Sequence, residues 1–109
     1  MQFKTRIKEY LGCQFNLPEE QVELMLPQFK ETLSGHMENL ERVHQQEGLD
    51  DLARAAHTIK GAFLNLGLAD CAELAKQIEG GAATEDTTLD YETLITDMGA
   101  IVDDIVNER

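Results

Sequence analysis

Three histidines are the first residues of this 109-residue chain that could carry chemistry. His36 and His44 stand eight residues apart. On a helix that is about 12 Å of rise, too far for one metal ion. Neither has a cysteine or second histidine at ligand spacing, so both read as solvated surface histidines. His57 has different surroundings. One helical turn before it stand Ala53 and Arg54, and one turn after it stand Lys60 and Gly61, followed by Leu64. A glycine inside a helix costs about 1 kcal/mol relative to alanine, and such a cost is usually kept for a steric reason. Gly61 therefore clears space beside the ring where a bulky group could dock. Lys60 would put an ammonium next to whatever fills that space, a mobile point charge suited to phosphate oxygens. The same residues also read as a boundary histidine, a surface lysine and a packing glycine, and spacing alone does not choose between the two.

The charge map bears on that choice. The chain has 21 Asp+Glu against 9 Lys+Arg, a formal charge of −12. Between Asp51 and Asp70 there is no acidic residue, only Arg54 and Lys60, so this window carries +2 and the remainder −14. Eight of the acids lie from Glu85 to Glu108, opposed there only by Arg109. An isolated gap in a strongly acidic surface, centred on one histidine, suits an anion on that histidine. The same charge excludes binding to nucleic acid or an anionic membrane through a basic surface. No apolar run approaches the roughly 20 residues that span a bilayer. Met1-Gln2-Phe3-Lys4-Thr5-Arg6 lacks the apolar stretch of a signal peptide, which points to the cytoplasm. Cys13 and Cys71 make no disulfide framework and read as small buried residues in a reducing compartment. Met1 favours a complete short protein, although a fragment can also begin with Met.

The elements that must position His57 are helical. A hydrophobic fraction of 42% supports a folded core rather than an acidic disordered tail, and the length supports one domain over 1–109. A first helix is predicted over Phe3 to Leu11, weakened at Gly12. Asn16-Leu17-Pro18-Glu19 looks like a helix start with Asn16 as cap. From there Val22, Met25, Leu26, Phe29, Leu33, Met37, Leu40 and Val43 recur at three and four up to Gly48. Pro27 removes a backbone donor and predicts a short helix before it and a longer one after it. The next helix is predicted over Leu49 to Leu66, with Leu52, Ala56, Ile59, Phe63 and Leu66 inward and Gly67 at the left-handed position beyond its end. Leu68 to Glu79 follows, with Cys71, Leu74, Ala75 and Ile78 inward and Gly80-Gly81 as its stop. Thr87 and Asp90 have capping-box spacing before a last helix over Leu89 to Val106. Short connections between amphipathic helices predict an all-α, antiparallel up-down four-helix bundle with one or two short additional N-terminal helices.

This arrangement offers His57 a partner. His57 lies ten residues before Gly67 and Glu79 twelve after it, so at 1.5 Å per residue the two sit at similar heights on neighbouring antiparallel helices. Lys76 falls near the level of Lys60. A Glu79 carboxylate accepting Nδ1–H would fix the tautomer and leave Nε2 as the nucleophile. A nucleophilic triad, a metal cluster and a Gly-rich phosphate loop are all missing, so the chain is not expected to bind ATP, or to be an enzyme in the usual sense. A general base made of His57 and Glu79 lacks a substrate cleft in so small a bundle. An acidic helical adaptor that binds a partner through its helices stands as the rival.

The segment His57-Thr58-Ile59-Lys60-Gly61-Ala62-Phe63-Leu64-Asn65-Leu66-Gly67 resembles the signature of histidine-containing phosphotransfer (Hpt) domains: His-x-x-Lys-Gly, five residues, then Gly, before a helix rich in Leu, Ala and Glu. The specific likeness covers about residues 49 to 79. It implies a four-helix bundle with the phosphoacceptor half-exposed on its side. On that likeness His57 is the acceptor, Lys60 neutralises the phosphoryl group, Gly61 leaves room for it, and Glu79 hydrogen-bonds the ring. Cys71 and Phe63 depart from the family pattern, in which Leu and a small residue are more usual, which bears on the partner surface. The resemblance implies a phosphocarrier between receiver-domain aspartates, or the acceptor domain of a larger histidine kinase. Its partners would be response-regulator receivers and a hybrid sensor kinase. The docking patch would comprise Ala53, Ala56, His57, Gly61 and Leu64, with Leu68 at its edge and Arg54 assisting at longer range. No cofactor is expected in the chain itself, Mg²⁺ being the receiver's, and the expected state is a monomer.

Overall fold

In a computed structural model that describes residues 3–108, five helices account for nearly the whole chain: α1 (Phe3–Phe15), α2 (Glu19–Gln46), α3 (Leu49–Asn65), α4 (Ala69–Ala83) and α5 (Tyr91–Asn107). Met1, Gln2 and Arg109 lie outside the described residues, and with them the expectations placed on Met1 and Arg109. The described chain is all-α. Helices α2 to α5 close a ring in which each packs on the next and α5 returns to α2. Its core is built from one stripe of each helix, including Leu33, Leu40, Ile59, Phe63, Ile78 and Met98, all buried.

The hairpin α3–α4 positions the site, and its turn is specified by one glycine. Gly67 has φ +75, and the Leu68 N–H donates to the Phe63 carbonyl at 2.9 Å, closing the helix end. A Cβ at Gly67 would run into the ring of Tyr10 on α1. Gly67→Ala combines left-handed strain with that collision and is expected to cost about 2–3 kcal/mol, lowering the thermal midpoint by roughly 8–15 °C. Thermal unfolding followed by circular dichroism checks it; a midpoint within about 2 °C of the parent would refute the argument.

Five boundaries differ from the sequence expectation. α2 runs unbroken through Pro27 over 28 residues. Pro27 is exposed, so only the solvent side of the helix loses a donor, while Val22 and Leu26 before it and Leu33 and Met37 after it share one buried stripe. One additional helix, not two, therefore precedes the ring. α1 continues past Gly12 to Phe15, and Asn16 follows it at φ 54 instead of capping α2. Pro18 is the N-cap residue of α2, without a side-chain cap bond. α4 passes through Gly80-Gly81 to Ala83, because Ala82 extends the buried stripe of Ile78. Gly81 is instead a close-approach residue, where a Cβ would come within 2.5 Å of Leu89 Cδ2. At α5 the cap is Asp90, which accepts from the Thr93 N–H at 3.1 Å, and not a Thr87–Asp90 box.

α1 lies across the end of the ring and is fastened by charge. Arg6 makes a two-bonded pair with Asp70 at the start of α4, at 2.5 and 3.2 Å. Lys4 and Lys8 both pair with Glu23 of α2, whose carboxyl is thereby pushed down to about 2. The contribution of Glu23 to stability is fully present above the ordinary Glu value and is lost as pH falls toward 2. At the opposite end of the chain the Glu108 carboxylate accepts the first free amides of α1, Phe3 N–H at 2.9 Å and Lys4 N–H at 2.7 Å. The cysteines divide. Cys71 is buried in the core, and burial pushes its thiol up to about 11, whereas Cys13 is exposed, contrary to the expectation that both are buried.

Candidate functional site

His57 stands in the middle of α3 with its side chain 68% exposed. Its Nδ1 lies 2.6 Å from Glu79 Oε2 on α4. The second carboxylate oxygen, Oε1, accepts from Lys60 Nζ at 2.5 Å. Lys60 first, and His57 after it, hold the Glu79 carboxyl below its ordinary value against the opposing effect of burial. Glu79 is therefore ionised at neutral pH and can only accept, so Nδ1 carries the proton and Nε2 is the free lone pair, directed away from Glu79. The stability this pairing adds is present above the ordinary Glu value and falls away as pH drops through the depressed one. Gly61, one turn on, has nothing within 4 Å of where a Cβ would be. The ring thus has a carboxylate and an ammonium on its α4 side and open space on the next turn of its own helix.

On its other side the ring borders a groove of about 1030 Å³ between α1, α2 and α3. Tyr10 and Phe15 of α1, Met25 and Phe29 of α2, and Gly61 and Ala62 of α3 contribute to its walls. Although the chain has 21 acidic residues, no Asp, Glu, Lys or Arg lines this groove among the described residues. Among the described residues no three His, Cys, Asp or Glu side chains come together in a way that could hold a metal ion. No described helix is long and apolar enough to cross a membrane.

The family model of the Hpt domain matches residues 24–106. The chain belongs to the Hpt domain family. No curated protein and no solved structure matches it. Hpt domains perform histidine phosphotransfer in phosphorelays, where they interact with receiver domains and kinases, and they are phosphocarriers rather than classical enzymes. The match begins at Leu24, so α1 and the first five residues of α2 stand outside it.

Within this Hpt domain the residues singled out in the sequence divide into three sets. His57, Lys60 and Glu79 meet directly, and Gly61 adjoins them. Arg54 and Leu64 are exposed on the His57 face, with Ala53 half-buried beside them; Arg54 also lies 3.7 Å from Asp51. Ala56 and Leu68 are corrections: both are fully buried and take no part in any surface. Ala56 is a quarter-turn from His57 toward the core, and Leu68 closes the hairpin turn inward. Lys60 also differs from expectation in one respect, for its ammonium is engaged by Glu79 rather than held in open space. His36 is no isolated surface histidine; it is half-buried and lines the same groove as His57. Sequence reasoning missed the groove. Phe15 was the available signal, an aromatic residue one turn past Leu11 and beyond the predicted end of the first helix, and it is 63% exposed.

Proposed function

We propose that this Hpt domain is a phosphocarrier that takes a phosphoryl group from a receiver's phospho-aspartate on His57 Nε2 and yields it to a second receiver's aspartate. The observation that carries the reading is the engagement of Nδ1 by Glu79 at 2.6 Å, which leaves Nε2 as the nucleophile on an exposed ring. The Nε2 lone pair attacks phosphorus, the N–P bond forms, the P–O bond to the aspartyl carboxyl breaks, and the aspartate leaves as carboxylate. Nδ1 keeps its proton, and the positive charge gained by the ring is offset by Glu79. The return step reverses these changes. Phosphoryl transfer of this kind asks mainly for alignment and charge balance. Lys60 already reaches Glu79 from one turn beyond His57, and from there its Nζ can exchange that oxygen for a phosphoryl oxygen. Gly61 leaves the room. Arg54 adds positive charge at longer range. Mg²⁺ belongs to the receiver's acidic site and comes with it.

Incubation with receiver domains charged with acetyl phosphate tests the reading. The expected product is label on the protein that is acid-labile and alkali-stable, as a phosphorus–nitrogen bond requires. Absence of such label with every receiver of a full set would overturn the proposal and favour the acidic adaptor.

A further inference from the structure

We propose that His36 is a second imidazole of the phosphoryl site. In its protonated form it donates to the phosphoryl group carried by His57, and it makes the carrier's hold on that group depend on pH near neutrality. This inference rests on the phosphocarrier reading and deepens it. His36 on α2 and His57 on α3 line one groove. Counting places them at one level. His36 lies ten residues before Gln46, the last residue of α2, while His57 and Gly61 lie eight and twelve after Leu49, the first of α3. At 1.5 Å per residue along antiparallel neighbours, His36 stands between the levels of His57 and Gly61, about 3 Å in height from each. The room left by Gly61 is part of the same groove, so a phosphoryl group that occupies it has His36 across from it.

Charge balance gives His36 its task. A phosphoryl group brings about −1.5 to −2 of charge at neutral pH. The cations already near it have partners: Lys60 is engaged by Glu79, and Arg54, 82% exposed, lies 3.7 Å from Asp51. His36 is half-buried and makes no hydrogen bond or ion pair among the described residues, so its ring nitrogens are available. The titratable groups that face it across the groove are Tyr10 of α1 and His57 of α3. No other titratable side chain of α2 lines the groove, and α4 and α5 contribute no residue to it. Imidazole is the side chain that gains a proton in the neutral range. A phosphoryl anion beside it favours the charged form, so phosphorylation of His57 draws one proton from solvent onto His36. By linkage a protonated His36 strengthens the hold on the phosphoryl group. That gain is fully present where His36 is protonated in both states, and is lost as pH rises past the point where the phosphorylated form gives the proton up.

Partition of label between the parent and His36→Gln tests the inference. Labelled parent, unlabelled variant and a trace of one receiver domain are mixed until exchange is complete; the receiver serves both chains, so its own properties cancel. The parent is expected to hold about tenfold more label at about pH 6, and the two to share it evenly at about pH 8.5. A second measurement needs no substitution. The parent is phosphorylated with phosphoramidate, a small donor, and the imidazole nitrogen shifts are read at neutral pH. Those of His36 are expected to move toward the imidazolium pattern, and those of His44, which lines a separate cleft between α2 and α5, to stay. Even partition at about pH 6 overturns the inference, as does a preference of the same size at both pH values. A His36 ring that does not respond to phosphorylation also overturns it. Each of these results is read with His57 labelled and leaves the carrier reading standing. Failure of phosphoramidate and of a full set of charged receivers to label the parent would instead overturn the phosphocarrier reading and this inference with it.

Discussion

His57→Gln is expected to reduce phosphohistidine formation to background while leaving the helical content and the thermal midpoint close to those of the parent. The side chain is 68% exposed, so little packing is lost by changing it. Glutamine can still donate an amide N–H to Glu79, which keeps the carboxylate partnered and avoids an unsatisfied charge at the α3–α4 seam. What it lacks is a basic lone pair. The amide nitrogen is delocalised into its carbonyl and does not attack phosphorus, so no covalent intermediate forms on either limb of the carrier cycle. The measurement is acid-labile label after incubation with charged receivers, together with far-ultraviolet circular dichroism. His36 and His44 remain in the variant and act as internal controls. His36 lines the same groove but has no carboxylate partner among the described residues, so label that persists at the parental level would place the acceptor elsewhere and refute the assignment.

How much of this was legible in the sequence depends on the range of the forces involved. The His57–Glu79 pairing followed from counting. Gly67 forces a reversal, helices rise by a constant 1.5 Å per residue, and ten residues before the turn meet twelve after it. Gly61 followed from intrinsic cost. Two of the misplaced boundaries share another cause. Pro27 and Gly80-Gly81 are breakers by local propensity, yet at both a buried stripe continues on the far side, and burial of those side chains outweighs the local cost, whereas α1 passes Gly12 with no buried residue beyond it. Ala56 was placed inward by the helical pattern, which holds, and on the docking patch beside His57 as well, which does not. On a helix adjacency means a 100° turn, and that turn takes it inward. The groove was illegible for a stricter reason. It exists only where three helices meet, and the placement of α1 depends on pairs such as Arg6–Asp70, 64 residues apart, that no periodicity announces.

Glu79→Gln carries the second large expectation, because Glu79 serves two donors at once. Its Oε2 accepts from His57 and its Oε1 from Lys60, which needs two acceptor oxygens. Glutamine has one. If its oxygen takes the Nδ1 proton, its NH₂ faces the Lys60 ammonium, donor against donor; if it turns to Lys60, it presents a donor to Nδ1 and favours the tautomer protonated at Nε2. In that tautomer the attacking nitrogen carries a proton and has no free lone pair. The negative charge that offsets the phosphorylated ring is lost in either orientation. Transfer from a charged receiver is expected to slow by about ten- to a hundredfold, the range found when a residue orienting a functional histidine is removed. The loss should fall on the maximal rate rather than on half-saturation, since Glu79 acts on the ring through Nδ1 and does not line the groove beside it. Nitrogen chemical shifts of the imidazole report the tautomer directly and should show Nδ1–H in the parent and a mixture in the variant. The pair is partly exposed, so stability is expected to fall by no more than about 1 kcal/mol. That separates a positioning role from a structural one: a slow variant with the parent's thermal midpoint and an altered tautomer supports the assignment. Parental transfer rates with an altered tautomer would show that the nucleophile does not depend on Glu79.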